Sequence, residues 1–255
     1  MTGTALSIPP GYWRLVRAPR YSVSFAFPLL AAYEALAFML SRLDVAGVRN
    51  GADVLLKSLF LTLGGRTGLA VFGALLVGGG AVVVWRDVKK SGRIQPRLFW
   101  FMLGESVLYA LVFGVVAATL TSLLLPFMTV GMVPPGSAAE AHAGFSLPVQ
   151  LMISLGAGIY EELLFRVLLV SGLTLVAVRL LRWRGTKVGI FAVVISALIF
   201  AAFHYVGPYG EPLALGSFTY RTVAGLLFSA LFLLRGFGIT AWTHALYDVF
   251  LAVGR

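Results

Sequence analysis

A chain of 255 residues that is 59% hydrophobic and only 12% charged, with a mean hydropathy of +0.93, carries more apolar surface than a water-soluble core of that length can hide. The net charge of +10 points to anionic lipid headgroups as partners and not to nucleic acid, because the basic residues sit at the ends of apolar runs and are not interleaved with aromatics on a polar face. Cysteine is absent, which excludes a disulfide framework, a thiolate nucleophile and a cysteine metal site.

Arg14, Arg17 and Arg20 precede the first apolar run. That run is too long for a signal-peptide core and no small-residue cleavage pattern follows, so it reads as a retained first span. Stretches long enough to cross a hydrocarbon layer of about 30 Å recur along the chain. They predict an all-α polytopic bundle forming one membrane domain over 1–255, with seven spans near 21–41, 67–86, 98–125, 148–180, 187–206, 214–234 and 238–254. An eighth helical element, Asp53 to Leu63, is expected to lie on the membrane surface or re-enter it. The fourth span is too long for one upright crossing and is expected to tilt, extend or break near Gly156 and Gly158. Gly64, Gly68, Gly73 and the run Gly78 to Gly80 predict close helix packing, and Pro134, Pro135 and Gly136 an outer loop.

Basic residues concentrate in alternate loops. The N-terminal arginines, Arg86 to Arg97, Arg179 to Lys187 and Arg235 fall on one side. Fewer fall on the other: Arg42, Arg49, Lys57, Arg66 and Arg255. This asymmetry predicts a cytoplasmic N-terminus and an outer C-terminus, in a prokaryotic inner membrane.

Ionisable side chains within apolar spans cost several kcal/mol unless paired or hydrated, so each is a functional candidate. They are Glu34, Glu105, Glu161, Glu162, Arg166, His204, Arg221, His244 and Asp248. Four residues separate Glu162 from Arg166, which puts them on one helix face where they can neutralise each other. Glu161 is turned away from that face and needs another partner, such as a histidine, a water or a metal. Phe200 and His204 share a face, and so do His244 and Asp248. A carboxylate with imidazole help can polarise a water to attack an amide while other donors hold the oxyanion. Alternatively, Glu161, His204 and His244 can bind a zinc ion that lowers the pKa of its water. Glu105 and Arg221 are expected to form an interhelical bridge.

Glu161-Glu162-x-x-x-Arg166, Phe200-x-x-x-His204 and His244-x-x-x-Asp248, in that order on successive late helices, resemble the type II CAAX prenyl endopeptidase and bacteriocin-processing family, also called CPBP or Abi. The resemblance covers roughly 148–252 and none of the first three spans. It implies an all-helical intramembrane endopeptidase acting on a membrane-associated or lipidated peptide. It further implies Glu161 as general base assisted by His204, His244 and residue 248 as an oxyanion site, and Glu162 with Arg166 as architecture. The family is commonly labelled metalloprotease. A metal-free, glutamate-dependent mechanism is favoured here, with zinc on Glu161, His204, His244 and Asp248 as the alternative. Members that process prenylated eukaryotic substrates carry asparagine where this chain has Asp248. An ionised aspartate would repel an oxyanion, so it must be protonated, paired with His244 or metal-bound.

The sequence lacks the His-Glu-x-x-His, Gly-x-Gly-Asp and Gly-x-Ser-x-Gly patterns of other membrane hydrolases. The rival functions are a proton-coupled transporter and a catalytically idle peptide-binding immunity or scaffold protein.

Overall fold

The computed structural model describes residues 11–41, 48–125, 144–207 and 210–254. The expected outer loop at Pro134 to Gly136, and the basic residues Arg42 and Arg255, lie outside the described residues. Among those described, every regular element is helical, as the composition requires. A short turn, α1 (Tyr12–Leu15), precedes α2 (Pro19–Leu40), α3 (Gly51–Gly73), a π-wound stretch (Ala74–Gly79) and α4 (Gly80–Ser91). Then come α5 (Arg97–Leu124), α6 (Leu147–Gly156), two further π-wound stretches (Ala157–Glu161 and Leu163–Val170) and α7 (Ser171–Arg179). The chain ends with α8 (Thr186–Phe203), α9 (Leu215–Arg235) and α10 (Phe237–Val253).

Among the described residues five helical regions are long and apolar enough to cross a membrane, namely Pro19–Leu40, Gly51–Ser91, Arg97–Leu124, Thr186–Phe203 and Leu215–Arg235, while Phe237–Val253 is a shorter apolar helix. Their outer surfaces fit lipid and not water. On α5 the buried positions Leu98, Met102, Ser106, Ala110, Phe113, Ala117 and Thr121 recur every three or four residues and form one stripe. The opposite face exposes Trp100, Leu108, Leu111, Val115 and Leu123, Val115 to 70%. Such a face would be an aggregation surface in water and is an ordinary lipid-facing surface in a bilayer.

Helix continuity follows the expectation in one region and narrows it in another. The region 51–91 is not one rod, because Gly64 (φ −151°, ψ 17°) and Gly65 (φ 55°, ψ −140°) leave helical geometry. Phe60 and Phe72 then stand 5.1 Å apart between ring centroids. A straight helix would separate them by about 18 Å. The chain therefore doubles back, and 51–63 is a helical arm folded against the following span. Gly68 lies at the fold, with the Phe60 carbonyl in the place a Cβ would take. Gly80 similarly admits Phe27. Gly64, Gly73, Gly78 and Gly79 meet nothing there, so close packing does not explain them.

Of the tilt, extension or break expected for the long fourth span, the break is absent from 147–179: none occurs at Gly156 or Gly158. Ala157, Glu162 and Ser171 all keep helical dihedrals, so α6 runs on into α7 as one rod whose middle is wound in π form. Its glycines serve packing: a Cβ on Gly156 would strike Tyr33 and Asn50, and one on Gly158 would strike the Ala241 carbonyl and Ala245. The rod thus sits tightly between α2 and α10.

Charges inside the bundle are paired across helices. Arg20 meets Asp87 at 3.2 Å, joining α2 to α4. Arg235, 1% exposed, forks onto both oxygens of Glu105, and the Tyr12 hydroxyl donates to the same carboxylate at 2.8 Å. The expected bridge from Glu105 to Arg221 does not form. The two arginines are 14 positions apart on α9 (235 − 221), about 21 Å along the axis, and Arg235 lies at the level of Glu105. Arg221 pairs instead with Glu211. Glu105→Ala leaves the buried Arg235 guanidinium without its anion, and is expected to cost about 3–5 kcal/mol. Thermal unfolding in detergent checks this, and an unchanged transition would contradict it.

Candidate active site

The late motif residues meet in one place. Glu161 on the rod, His204 at the end of α8, and His244 and Asp248 on α10 line a common cavity of about 830 Å³. Phe200, Phe203 and Phe228 supply apolar walls, and Tyr220 and Tyr247, whose hydroxyls are bonded to each other, lie on its margin. The cavity also reaches Arg49 and Asn50, which precede the helical arm.

Glu161 and Glu162 are adjacent in sequence and face different partners. Glu162 is fully buried. One of its oxygens lies 3.2 Å from Arg166 Nε, the pair expected from their spacing. The other accepts from His244 Nδ1 at 2.7 Å, a contact between the rod and α10 that the spacing did not reveal. Arg166 lies 4.6 Å from the centroid of the Phe200 ring and 5.4 Å from that of Phe228, and its guanidinium reaches the Gly225 carbonyl at 3.5 Å. A cation over aromatic faces gains a further electrostatic attraction when desolvated.

Glu161, 7% exposed, takes neither histidine as its hydrogen-bond donor. Asn50 Nδ2 donates to its Oε1 at 2.8 Å. Its Oε2 has no hydrogen-bond partner among the described residues. Asn50 is the residue missed by the search of the spans for ionisable groups, since it is uncharged and lies before the arm. The only sequence cue was its suitability as a helix N-cap, a signal too common to mark a site.

The histidine tautomers follow from their partners. His204 Nδ1 stands 2.8 Å from the Phe200 carbonyl, which can only accept, so Nδ1 carries the hydrogen and Nε2 is left for chemistry. Phe200 also packs edge-on to the His204 ring at 4.9 Å, as their shared face predicts. His244 Nδ1 is likewise the donor to Glu162, and its ring stacks on Phe228 at 4.3 Å. His244 Nε2 lies 3.7 Å from Asp248 Oδ2, an ion-pair distance too long for a hydrogen bond. The spacing of four therefore brings this pair together without closing the His–Asp bond it permits.

Among the described residues no three His, Asp or Glu side chains converge as a metal-ligand set. The zinc alternative on Glu161, His204, His244 and Asp248 would require these cavity-lining side chains to draw together from the positions described, and no step below is routed through a metal.

Residues 143–250 match the family model described as Type II CAAX prenyl endopeptidase Rce1-like. Over that stretch, less than half of its length, the chain is similar to this family. No curated protein and no solved structure matches the chain. The matched region takes in the rod, α8, α9 and most of α10, so every motif residue of the type II CAAX endopeptidase resemblance falls inside it, while Asn50 and the arm fall outside. That family is one of peptidases, and the apolar helices make this chain an integral membrane protein.

Glu162→Ala removes the anion shared by Arg166 and His244. It is expected to destabilise the fold by about 3–5 kcal/mol, because a buried guanidinium is left uncompensated. The midpoint of unfolding in detergent measures this, and a wild-type midpoint would show that the pair carries no structural weight.

Proposed function

We propose that the chain is an intramembrane endopeptidase in which Glu161 activates water for attack on a peptide carbonyl. The observation that carries this is a buried glutamate with one oxygen anchored by an amide and the other without a hydrogen-bond partner, in a cavity shared with two tautomer-fixed histidines. A carboxylate committed to an ion pair would be architecture. Glu162 is of that kind, and Glu161 is not.

In the proposed reaction Glu161 takes a proton from water, assisted by His204 Nε2, and the hydroxide adds to the amide carbon. His244, carrying a hydrogen on each ring nitrogen throughout, offers Nε2–H to the developing oxyanion, and Glu162 at Nδ1 balances the positive charge of its ring, an arrangement general to carboxylate–imidazole pairs. Asp248 lies on the other side of that ring, where in its protonated form it adds a second donor. The C–N bond breaks as the proton returns from Glu161 to the leaving amine, so peptide and water become an acid and an amine. The aromatic walls suit an apolar or lipid-bearing peptide entering from the bilayer. We take the substrate to be a membrane-associated or lipidated peptide.

Substitution of one atom tests this directly. Glu161→Gln keeps the shape and the bond to Asn50 but cannot act as a base, and is expected to lower kcat by about 10³-fold. His204→Ala and His244→Ala are each expected to cost about 10²-fold or more. Cleavage of peptides reconstituted in liposomes is the measurement. Wild-type rates in all three variants would remove the proposed site, and proton flux without cleavage would mark a proton-relay protein instead.

A further inference from the structure

We infer that Asn50 is a positioning residue for Glu161, and that through it the helical arm 51–63 is part of the catalytic apparatus although it lies outside residues 143–250. The inference rests on the peptidase reading and adds a component to it. Both partners are buried, Asn50 at 3% and Glu161 at 7% exposure, and they meet at 2.8 Å.

The direction of that bond is fixed by the arm itself. Asn50 is the N-cap of α3, and its Oδ1 accepts from the Ala52 N–H at 2.9 Å. The amide nitrogen must then be the end that faces Glu161. Turning the amide over would lose the cap and set an oxygen against a carboxylate. One side chain therefore starts a helix with one end and orients the candidate base with the other.

Asn50 is itself held from two sides. Its backbone N–H donates to the Tyr33 hydroxyl at 3.4 Å, and that hydroxyl donates to the fully buried Asp53 at 2.7 Å. Asp53 is paired with Arg49, just ahead of the arm, at 3.0 Å and with Lys57, one turn further along it, at 2.7 Å. Lys57 also meets Glu34 on α2 at 2.8 Å, and Glu34 accepts from Tyr160, the neighbour of Glu161, at 2.7 Å. These contacts lock the first turn of the arm to α2 and to the rod around the carboxylate. Gly156 completes the fit, since a Cβ there would lie 2.7 Å from Asn50 Cβ.

The test separates capping from positioning. Serine and aspartate cap helices about as well as asparagine, but neither offers an amide donor to Glu161. Asn50→Ser is expected to keep the wild-type unfolding midpoint and to lower kcat by about 10²-fold, with KM changed by less than about threefold. Asn50→Asp, of the same shape, is expected to lose at least as much because it sets a second carboxylate beside the first. Wild-type kcat in either variant overturns the proposal and leaves the peptidase reading intact. Loss of the folded state in both also overturns it, by showing that the residue serves the fold. A wild-type protein that cleaves no peptide overturns the peptidase reading, and this proposal with it.

Discussion

Glu162, sealed from water, is held by Arg166 on one oxygen and by His244 on the other. Desolvating any of the three alone costs several kcal/mol, and only their mutual contact offsets it. That contact joins the rod to α10, and the Arg166 guanidinium continues it to the Gly225 carbonyl on α9. Because Glu162 is pinned, the backbone beside it is pinned too. Glu161 consequently projects from a fixed point toward the cavity, and the distances in the site depend on this internal neutralisation.

The same rule governs the periphery. Arg20 with Asp87, Arg235 with Glu105, and the cluster of Arg49, Lys57, Asp53 and Glu34 each tie two elements by opposed charge. Hydrophobic attraction does little to select helix neighbours within lipid, since the tails are as apolar as leucine. Interhelical ion pairs, the Trp242 Nε1 to Phe25 carbonyl bond at 2.6 Å and the Gly238 N–H to Ser22 Oγ bond at 2.8 Å take over that role.

The sequence made the spans and the motif cluster legible because both rest on local rules. Apolar length marks a crossing, and a spacing of four marks a shared face, so Glu162 with Arg166 and Phe200 with His204 were readable from the chain alone. What escaped was long-range. No spacing rule links Asn50 to Glu161, 111 residues apart, or Glu162 to His244, 82 apart. Depth was the other blind spot. Glu105 and Arg221 looked like partners as the charges left over, whereas the level of each along its helix decided for Arg235. The reversal at Gly64 and Gly65 depends on a positive φ that a pair of glycines permits but does not announce.

The π winding of Ala157–Glu161 and Leu163–Val170 places the two glutamates within wide turns that hold more residues than α turns do. Deleting a single residue from one wide turn would tighten it into an ordinary α turn and carry the residues within the π-wound stretch round the axis by about 100°. Arg166 would leave the aromatic box and Glu162 would move to the face that Glu161 now holds, taking Glu161 away from the cavity. The length of this stretch is therefore fixed to the residue. Insertions and deletions in the lineage of this protein should be confined to the connections at the ends of the rod, however freely its lipid-facing side chains have drifted.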